Sequence, residues 1–513
     1  MLSVTIRTAP WLALLVFAFA CSPAENTGES EFSLANVGQV CGGQTHSCAV
    51  LADGSVQCWG RNIRGQLGDG TTNAHYTPRV VPGLTGMSQI ACGDDHTCAS
   101  KQSDGSVWCW GDTSWGQGGD NTGGSPFNPT FHASPTQVWG LFSTVELVAG
   151  ANHTCARRSD GTVWCWGWGA WGQLGNAGEG IWKTITQVVD MPDAIKLSAN
   201  NRHTCAVRSD GSAWCWGSNQ CGQIGKGSSQ WDTPQRVENL PPVADIAAGG
   251  DFTCARTSTW GGSVYCWGGN FYGQLADGNT VADCAQFYGI KDVTSRFGGD
   301  LTQIALGRQH GVALRADSTI MTWGRNGNGQ LGNGQSGNQI NGWEVFSANP
   351  LGVWSSATAV FAGAFHTCSR QTDGRLMCWG NNAGGQIGNG ATGNAQMWPT
   401  YVADGAGGNA GPVCGNGVCE GGENGAVCGQ DCCDESTDCG QTRQNQGVHY
   451  CRNMYQYDWQ VGSAHWNGFQ WITVDDATAA CSQDWQAVPG PNQTQYQCAG
   501  HQGACVSVPG GYN

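Results

Sequence analysis

A hairpin motif recurs about every 50 residues along this 513-residue chain and constrains the fold more than any other feature. In one copy it comprises residues 153–156 (His-Thr-Cys-Ala), an Asp160-Gly161 turn, and residues 164–167 (Trp-Cys-Trp-Gly). Seven copies are present, and the sixth lacks both cysteines. Repetition with a period of this length is typical of repeat architectures. The copies can therefore be aligned with one another, which separates the positions that build the frame from those that vary.

Each repeat contains about four short apolar segments separated by turn signals, a pattern typical of the blades of a β-propeller. A loop of the form Gly-x-Asn-x-x-Gly-Gln-Leu-Gly follows the hairpin, as in residues 60–68. Residues 35–405 show no convincing 3.6-residue apolar period. The sequence therefore predicts an all-β fold.

The cysteine spacing predicts a disulfide inside each hairpin. Cys155 and Cys165 are centred on the turn, so an antiparallel pair places them opposite each other and near disulfide range. In the sixth repeat Val312 and Thr322 replace both cysteines together, as expected for bonded partners. The predicted pairs are Cys48 with Cys58, Cys98 with Cys109, Cys155 with Cys165, Cys205 with Cys215, Cys254 with Cys266, and Cys368 with Cys378.

The repeated histidine could instead join the cysteines in a metal site. In the fifth repeat, however, Phe252 holds the histidine position while both cysteines remain. A phenylalanine can replace a packed imidazole but cannot bind a metal, so we expect no metal here. We interpret the repeated histidines as core residues; they are His46, His96, His153, His203, His310 and His366.

Four further cysteines lie in the repeat region outside the hairpins. Pairing of Cys41 with Cys92, and of Cys221 with Cys284, would join neighbouring blades. The spacing does not determine this connectivity.

The repeats resemble those of the regulator of chromosome condensation family. The resemblance rests on the Gly-x-x-His-Thr-x-Ala start, the Asp-Gly-x-Val-x-x-Trp-Gly hairpin and the Gly-Gln loop, and it covers roughly residues 35–405. It implies a seven-bladed β-propeller, and the cysteines after residue 410 predict a small disulfide-rich domain following it. We expect Val37–Val40 and Pro399–Val402 to pair in one blade and close the ring. Seven Trp-Gly pairs match the expected blade count; their tryptophans are Trp59, Trp110, Trp166, Trp216, Trp267, Trp323 and Trp379.

The founding member of that family acts on chromatin and on a small GTPase, and this chain departs from that setting. Its net charge of −15 and pI of about 5.0 leave no basic surface for nucleic acid. No nucleophile elbow, metal cluster, phosphate loop or paired carboxylates occur in the sequence. We therefore expect a protein without catalytic activity or cofactor, and guanine-nucleotide exchange is only an alternative by family analogy.

The N-terminus predicts export. Residues 1–20 resemble a signal peptide, with Arg7 followed by an apolar run. Cys21 fits the lipidated residue of a bacterial lipoprotein, and residues 21–34 then form a tether; ordinary cleavage before Cys21 is the alternative. The many cysteines indicate an oxidising compartment. We expect an extracytoplasmic protein, either a lipoprotein of the outer membrane or cell surface or a secreted one.

The C-terminal part changes in composition. Residues 406–412 form a Gly-rich linker, and residues 413–440 resemble short cysteine-rich modules of secreted bacterial proteins. Glu420, Glu423 and Asp431 fit a calcium site only weakly, because their spacing matches no EF-hand loop. Residues 441–513 are expected to form a small disulfide-stabilised region of unknown role.

Binding residues are predicted from the positions that vary between repeats. The residues just before Gly-Gln differ in every copy, and equivalent loops of a propeller project from one end of the ring. Longer insertions fall at 118–136, 276–300 and 333–352. We expect a monomer that binds a protein through this end, with a glycan of the cell wall as the alternative ligand. The candidate binding residues are Arg64, Trp115, Trp168, Trp171, Phe271 and Tyr272.

Overall fold

The computed structural model describes residues 33–120, 130–178, 182–227, 230–258, 262–281, 284, 289–297, 300–335 and 356–404, together with short strands between 458 and 498. Seven antiparallel sheets follow one another along residues 37–401, and each sheet is one repeat. We number these sheets as blades 1 to 7 in chain order. The fold is the predicted all-β seven-bladed propeller.

Each blade runs from its innermost to its outermost strand in chain order. Blade 1 contains β1 (Val37–Gly42), β2 (His46–Leu51), β3 (Val56–Gly60) and β4 (His75–Val80); blade 2 contains β5 (Met87–Cys92), β6 (His96–Lys101), β7 (Val107–Asp112) and β8 (Phe131–Val138). Blade 3 contains β9 (Thr144–Ala149), β10 (His153–Arg158), β11 (Val163–Trp168) and β12 (Trp182–Gln187); blade 4 contains β13 (Ala194–Asn200), β14 (His203–Arg208), β15 (Ala213–Gly217) and β16 (Trp231–Arg236).

The remaining blades depart slightly from this pattern. Blade 5 contains β17 (Val243–Ala248), β18 (Phe252–Thr257), β19 (Val264–Gly268) and the short β20 (Lys291–Asp292), followed by a 3₁₀ helix, Thr294–Arg296. Blade 6 has three described strands, β21 (Leu301–Leu306), β22 (His310–Arg315) and β23 (Ile320–Gly324). Blade 7 contains β24 (Ala357–Ala362), β25 (His366–Gln371), β26 (Leu376–Gly380) and β27 (Gln396–Tyr401).

Beyond the propeller, five short strands form two further sheets. They are β28 (Asp458–Val461) paired with β29 (Ala464–Asn467), and β30 (Gln470–Thr473), β31 (Trp485–Gln486) and β32 (Gln495–Cys498) in a second sheet. The predicted signal peptide, Cys21, the linker and the cysteine-rich module lie outside the described residues. Within the described part of the chain, no helix has the length and apolarity needed to cross a bilayer.

The hairpin disulfides are present as predicted. Cys155 pairs directly with Cys165 in the β10–β11 register, and Gly161 adopts the left-handed conformation (φ 85°) that the tight turn requires. In blade 6 the register places Val312 opposite Thr322, so the missing cysteines occupy the same paired site. Cys41–Cys92 and Cys221–Cys284 also form and link successive blades.

Adjacent blades are joined by a buried tryptophan from each Trp-Gly pair. Trp216 of blade 4 is fully buried, and its indole N–H donates to the carbonyl of Gln173 in blade 3 (2.9 Å). All seven tryptophans make the same bond to the Gly-Gln loop of the preceding blade. The repeated Gly-Gln therefore belongs to the frame, because its carbonyl anchors the next blade.

The repeated histidines form a second link between blades. His153 of blade 3 is fully buried, and its Nε2 lies 2.9 Å from Thr204 Oγ1 of blade 4. Six blade junctions contain this pair, with Ser47 as the hydroxyl partner at one of them. At the remaining junction Phe252 replaces the histidine and Gly311 replaces the threonine, so both partners are lost together. The prediction of core histidines is confirmed.

The predicted closure of the ring is wrong in its detail. Val37–Val40 belongs to β1 of blade 1 and Pro399–Val402 belongs to blade 7, so no blade is shared between the two ends of the propeller. The ends meet instead through Leu34, whose N–H donates to Val402 O (2.7 Å) and whose carbonyl accepts Leu376 N–H (3.1 Å). Residues 33–36 thus complete the connection between blades 7 and 1. The other successive blades are connected by a continuous turn.

Candidate binding face

Two sets of loops share one end of the propeller, which we call the Gly-Gln face. One set comprises the turns between the first and second strands of each blade, and the other comprises the Gly-Gln loops after the third strands. Backbone bonds join the two sets, as from Arg61 N–H to Thr45 O and from Trp168 N–H to Asn152 O. The opposite end, the Asp-Gly face, carries the hairpin turns and the connections between blades.

The Gly-Gln loops have a common backbone set by a glutamine in all seven blades and by an asparagine in five of them. In blade 1, Asn62 Oδ1 accepts Leu67 N–H (2.9 Å) and Gln66 Oε1 accepts Arg64 N–H (2.8 Å). The glutamine bond recurs in all seven blades. The residue two places before each glutamine is therefore presented in the same position whatever its type; these residues are Arg64, Trp115, Trp171, Cys221, Tyr272, Asn328 and Gly384.

A ring of hydrogen bonds connects the inner turns around the mouth of the central channel. Six backbone bonds link neighbouring turns, as from Asp94 N–H to Ala151 O (3.0 Å). At blade 4 the chain is different: Asn201 has a positive φ of 44°, and its side-chain Nδ2 donates to Gly250 O (3.3 Å). The ring is completed there by a side chain rather than by the backbone, so the inner turns form one continuous rim.

Three of the predicted binding residues form a cluster across blades 2 to 4. The rings of Trp115 and Trp168 lie 5.3 Å apart. The guanidinium of Arg202 lies 5.5 Å from the ring centre of Trp168 and 5.1 Å from that of Trp171. This distance is typical of cation–π contacts, which hold the arginine in place. We call Trp115, Trp168, Trp171 and Arg202 the Trp-Arg cluster.

The other predicted residues lie elsewhere on the same face. The ring of Tyr272 packs under Arg325 at 5.2 Å, and Phe271 remains 36% exposed. Arg64 lies close enough to Asp95 for its charge to oppose the rise that burial causes in the pKa of that carboxyl. The structure thus distributes the six predicted residues around the rim, and their role in binding remains a prediction.

Several residues of this face were not predicted from the sequence. Arg202 and Phe365 come from the inner turns, and Phe365 packs against both Arg308 (5.6 Å) and Arg325 (5.9 Å). Only the loop before Gly-Gln was compared between repeats. The residues just before each repeated histidine vary equally, and comparing them would have identified the inner turns.

Charged groups of the inner turns interact across the channel mouth. Arg308 of blade 6 forms an ion pair with Asp94 of blade 2. Burial, together with neighbouring Asp94 and Asp112, raises the pKa of Asp95 to about 6, although Arg61 and Arg64 oppose this shift. Burial also raises the pKa of Asp251, against the opposing charges of Arg202 and Arg308. Below this rim the inner strands enclose a channel of about 270 Å³.

One group of described residues has the spacing of metal ligands, but its chemistry does not fit a metal. Potential ligand atoms of His46, Cys48 and Cys92 lie within 4.8 Å of one another. Both cysteines are in disulfides, so neither supplies a thiolate. His46 Nε2 is already paired with Thr97. The group is therefore part of the packing between blades 1 and 2.

Seven four-stranded repeats, linked by Trp–Gln and His–Thr bonds and carrying variable loops on one face, define a seven-bladed β-propeller repeat protein. The chain belongs to the family of the RCC1-like domain, whose model matches residues 19–344. The regulator of chromosome condensation (RCC1) repeat also matches residues 357–386.

Proteins with different names share this repeated sequence. The ultraviolet-B receptor UVR8 of Arabidopsis thaliana is 32% identical over 300 residues, covering 57% of this chain and 54% of the receptor. The human E3 ubiquitin-protein ligase HERC2 is 26% identical over 376 residues, covering 71% of this chain and 6% of the ligase. The chain thus spans about half of the first relative and a small part of the second.

Solved structures confirm the fold alone. Human WBSCR16 superposes with a TM-score of 0.59 at 21% identity, covering 68% of this chain and 94% of that one. Prp20p of Saccharomyces cerevisiae, described with its binding to Gsp1p and histones, gives a TM-score of 0.55 at 22% identity, covering 68% and 85%.

Proposed function

We propose that this protein is a non-catalytic scaffold that binds a protein partner through its Gly-Gln face. The observation that carries the proposal is the common loop backbone, which presents one side chain at the same position in each blade while its residue type varies around the ring. Trp, Tyr and Arg, the residue types enriched at binding hot spots, occupy several of these positions. The binding of Prp20p to proteins and the receptor function of UVR8 support a recognition role for this frame.

A glycan ligand is the alternative, and the geometry of the Trp-Arg cluster argues against it. A sugar ring binds tryptophan by stacking on an open ring face. Here Arg202 covers Trp168 and Trp171, while Trp115 packs against Trp168. A composite surface of packed rings and a fixed guanidinium suits a protein surface better than a single sugar. Exchange of guanine nucleotides has only the family analogy in its favour.

We also propose that the protein works outside the cytoplasm. Eight disulfides within the propeller support an oxidising compartment. The apolar run before Cys21 supports export and anchoring. A lipid-anchored propeller would present its binding face to partners in the envelope or in the medium.

Capture of the partner with face variants tests the binding proposal. Trp171→Asn and Arg202→Gln introduce residues that blade 6 carries at the same positions, Asn328 and Gln309, so the loop backbone is preserved. We expect the double variant to lose a protein that the unmodified chain captures from the native envelope, with affinity at least about tenfold weaker. Surface plasmon resonance with the captured protein measures the difference.

The matched control changes the other end of the propeller. Trp139→Glu alters an exposed residue of the Asp-Gly face and should leave capture of this partner unchanged. Equal loss of partner binding in the Trp139→Glu chain and in the Trp171→Asn, Arg202→Gln chain would contradict binding through the Gly-Gln face. Unchanged binding in the Trp171→Asn, Arg202→Gln chain would also contradict it. Capture of cell-wall polysaccharide that depends on Trp171 would instead establish the glycan alternative.

A further inference from the structure

One connection on the Asp-Gly face exposes two large aromatic side chains. Residues 139–143 link β8 of blade 2 to β9 of blade 3, and Leu141 at the centre of the turn is buried. On either side of it, Trp139 is 72% exposed and Phe142 is 44% exposed. Exposure of a tryptophan to this degree costs hydration free energy, since apolar surface in water is unfavourable. Packing within the turn therefore does not explain why Trp139 and Phe142 are aromatic.

Comparison with the other connections shows that the aromatic residues are not needed for the turn. The buried central residue recurs as Leu84 and Met191. Trp139, in contrast, corresponds to Pro82 and Glu238, so the frame accepts small or charged residues at this place.

Two further apolar residues extend the exposed surface. Val145 is 41% exposed and Ile195 is 49% exposed, and each is the second residue of its inner strand, β9 or β13. The equivalent positions in other blades hold Gly38, Ser88 and Thr302. We call Trp139, Phe142, Val145 and Ile195 the apolar patch; it lies on the side of the propeller formed by blades 2 to 4.

The chain enters and leaves the propeller on this same face. Ser33 forms a bridge with Ala403, beside the Asp373-Gly374 turn that accepts the N–H of Val37. Ser33, the first described residue, therefore lies at the Asp-Gly face. Cys21 precedes Ser33 by 12 residues, a length that spans about 40 Å at most when fully extended.

We propose that the apolar patch rests on a lipid surface and orients the propeller with its Gly-Gln face outward. Tryptophan concentrates at the boundary between headgroups and hydrocarbon, because its ring is apolar and its N–H is polar. A tether that ends on the same face brings the patch to the bilayer. The inference rests on the proposed anchoring at Cys21, and its test is independent of any partner of the Gly-Gln face.

The charges around the patch specify the lipid. The hairpin turns beside it carry Asp104, Asp160 and Asp210, and Asp160 is 54% exposed. Arg158 and Lys196 lie in the same region and are paired with acidic side chains. The surface is therefore not a basic one, and it fits zwitterionic rather than anionic headgroups.

A fluorescent label inside the patch tests this contact in the full chain. Val145→Cys introduces a thiol where Ser88 stands in blade 2, and Cys21→Ser removes the anchoring cysteine, so binding depends on the patch itself. We expect an environment-sensitive label at position 145 to shift to shorter wavelength on phosphatidylcholine vesicles, and to shift less when phosphatidylglycerol is added. Trp139→Glu with Phe142→Thr should weaken vesicle binding about tenfold or more, because each buried aromatic side chain contributes more than the 1.4 kcal/mol that a factor of ten requires.

The matched control is a label at Ile63→Cys, which is 51% exposed on the Gly-Gln face and should stay in an aqueous environment. The Cys21→Ser chain without an introduced cysteine corrects for label that attaches to the native cysteines. Equal shifts at positions 63 and 145 would contradict the proposal, as would the absence of any shift. A label at 145 that is already shielded before vesicles are added would show that another part of the chain covers the patch, and would also overturn it.

Discussion

At the scale of single residues, the repeated histidines owe their proton position to their hydroxyl partners and their charge state to burial. The hydroxyl of Thr204 donates its one proton to Gln173 O, so it accepts the hydrogen bond from His153 Nε2. His153 therefore carries a proton on Nε2. Burial lowers its pKa to about 3, and the other repeated histidines shift in the same direction for the same reason.

We expect the propeller to lose stability as the pH falls below about 6.5, where histidines of the unfolded chain become protonated. Because their folded pKa values are lowered to about 3 or 4, the unfolded state binds more protons between these limits. Each histidine then contributes about 1.4 kcal/mol per pH unit to the decline. Asp95, Asp245 and Asp251 act in the opposite sense, since burial raises their pKa values and so favours the folded state at low pH, but the six histidines outnumber them. Urea unfolding from pH 7 to 4 measures the slope.

His153→Phe is the control, because Phe252 shows that the site accepts this ring. The variant should take up about one proton fewer on unfolding at pH 5 and show a correspondingly shallower slope. An unchanged slope would mean that His153 is not the buried neutral group described above.

At the scale of elements, six of the seven hairpins combine a tight turn, a central disulfide and a tryptophan that joins the preceding blade. The sixth blade shows that the disulfide can be replaced, because Val312 and Thr322 occupy its place in the same register. Leu331 O accepts the hydroxyl of Thr322 (2.9 Å), so this polar side chain is satisfied although buried.

The double variant Cys155→Val, Cys165→Thr should fold and lose about 2–3 kcal/mol of unfolding free energy, because the loop that the disulfide closes is short. Denaturant titration under non-reducing conditions measures the loss. The same substitution at Cys205 and Cys215 should cost a similar amount. A loss near zero at both sites would show that the disulfides add little to a frame already held by its tryptophans.

These elements also show how far the sequence determined the structure. The strands, hairpin disulfides and blade count follow from a repeat that aligns with itself, since equivalent positions share one environment. The Trp-Arg cluster did not follow, because Arg202 joins Trp168 and Trp171 through contacts between blades that no spacing reveals. The detailed closure was missed because its connection is divided between the two ends of the propeller.

At the scale of the whole molecule, residues 33–36 close the ring. They take the place of the continuous turn that connects the other pairs of successive blades. Leu34 is 2% exposed and holds the position that Leu141 holds in a continuous connection. Blades 7 and 1 are also linked by Trp59 N–H to Gln386 O (2.8 Å) and by Ser47 to His366 (2.8 Å). The last junction therefore uses the same bonds as the others, and only its chain connectivity differs.

Comparison of Leu34→Ala with Leu141→Ala isolates the contribution of closure. Each removes a buried leucine at an equivalent site and should cost about 2–5 kcal/mol. Only Leu34→Ala frees a chain end, so we expect it to accelerate amide exchange in both β1 and β27. Hydrogen exchange followed by mass spectrometry distinguishes the two variants. Faster exchange confined to blades 2 and 3 in both chains would contradict a special role for Leu34.

The shared geometry of the Gly-Gln loops has a consequence for how such a surface changes over time. Each loop obtains its shape from its own glutamine, so exchanging the presented side chain leaves the loop backbone intact, and outside the Trp-Arg cluster the presented residues lie in separate blades. Substitutions at well-separated sites of this kind contribute almost independently. Specificity can then be altered one blade at a time, much as an antibody varies its loops on a constant framework.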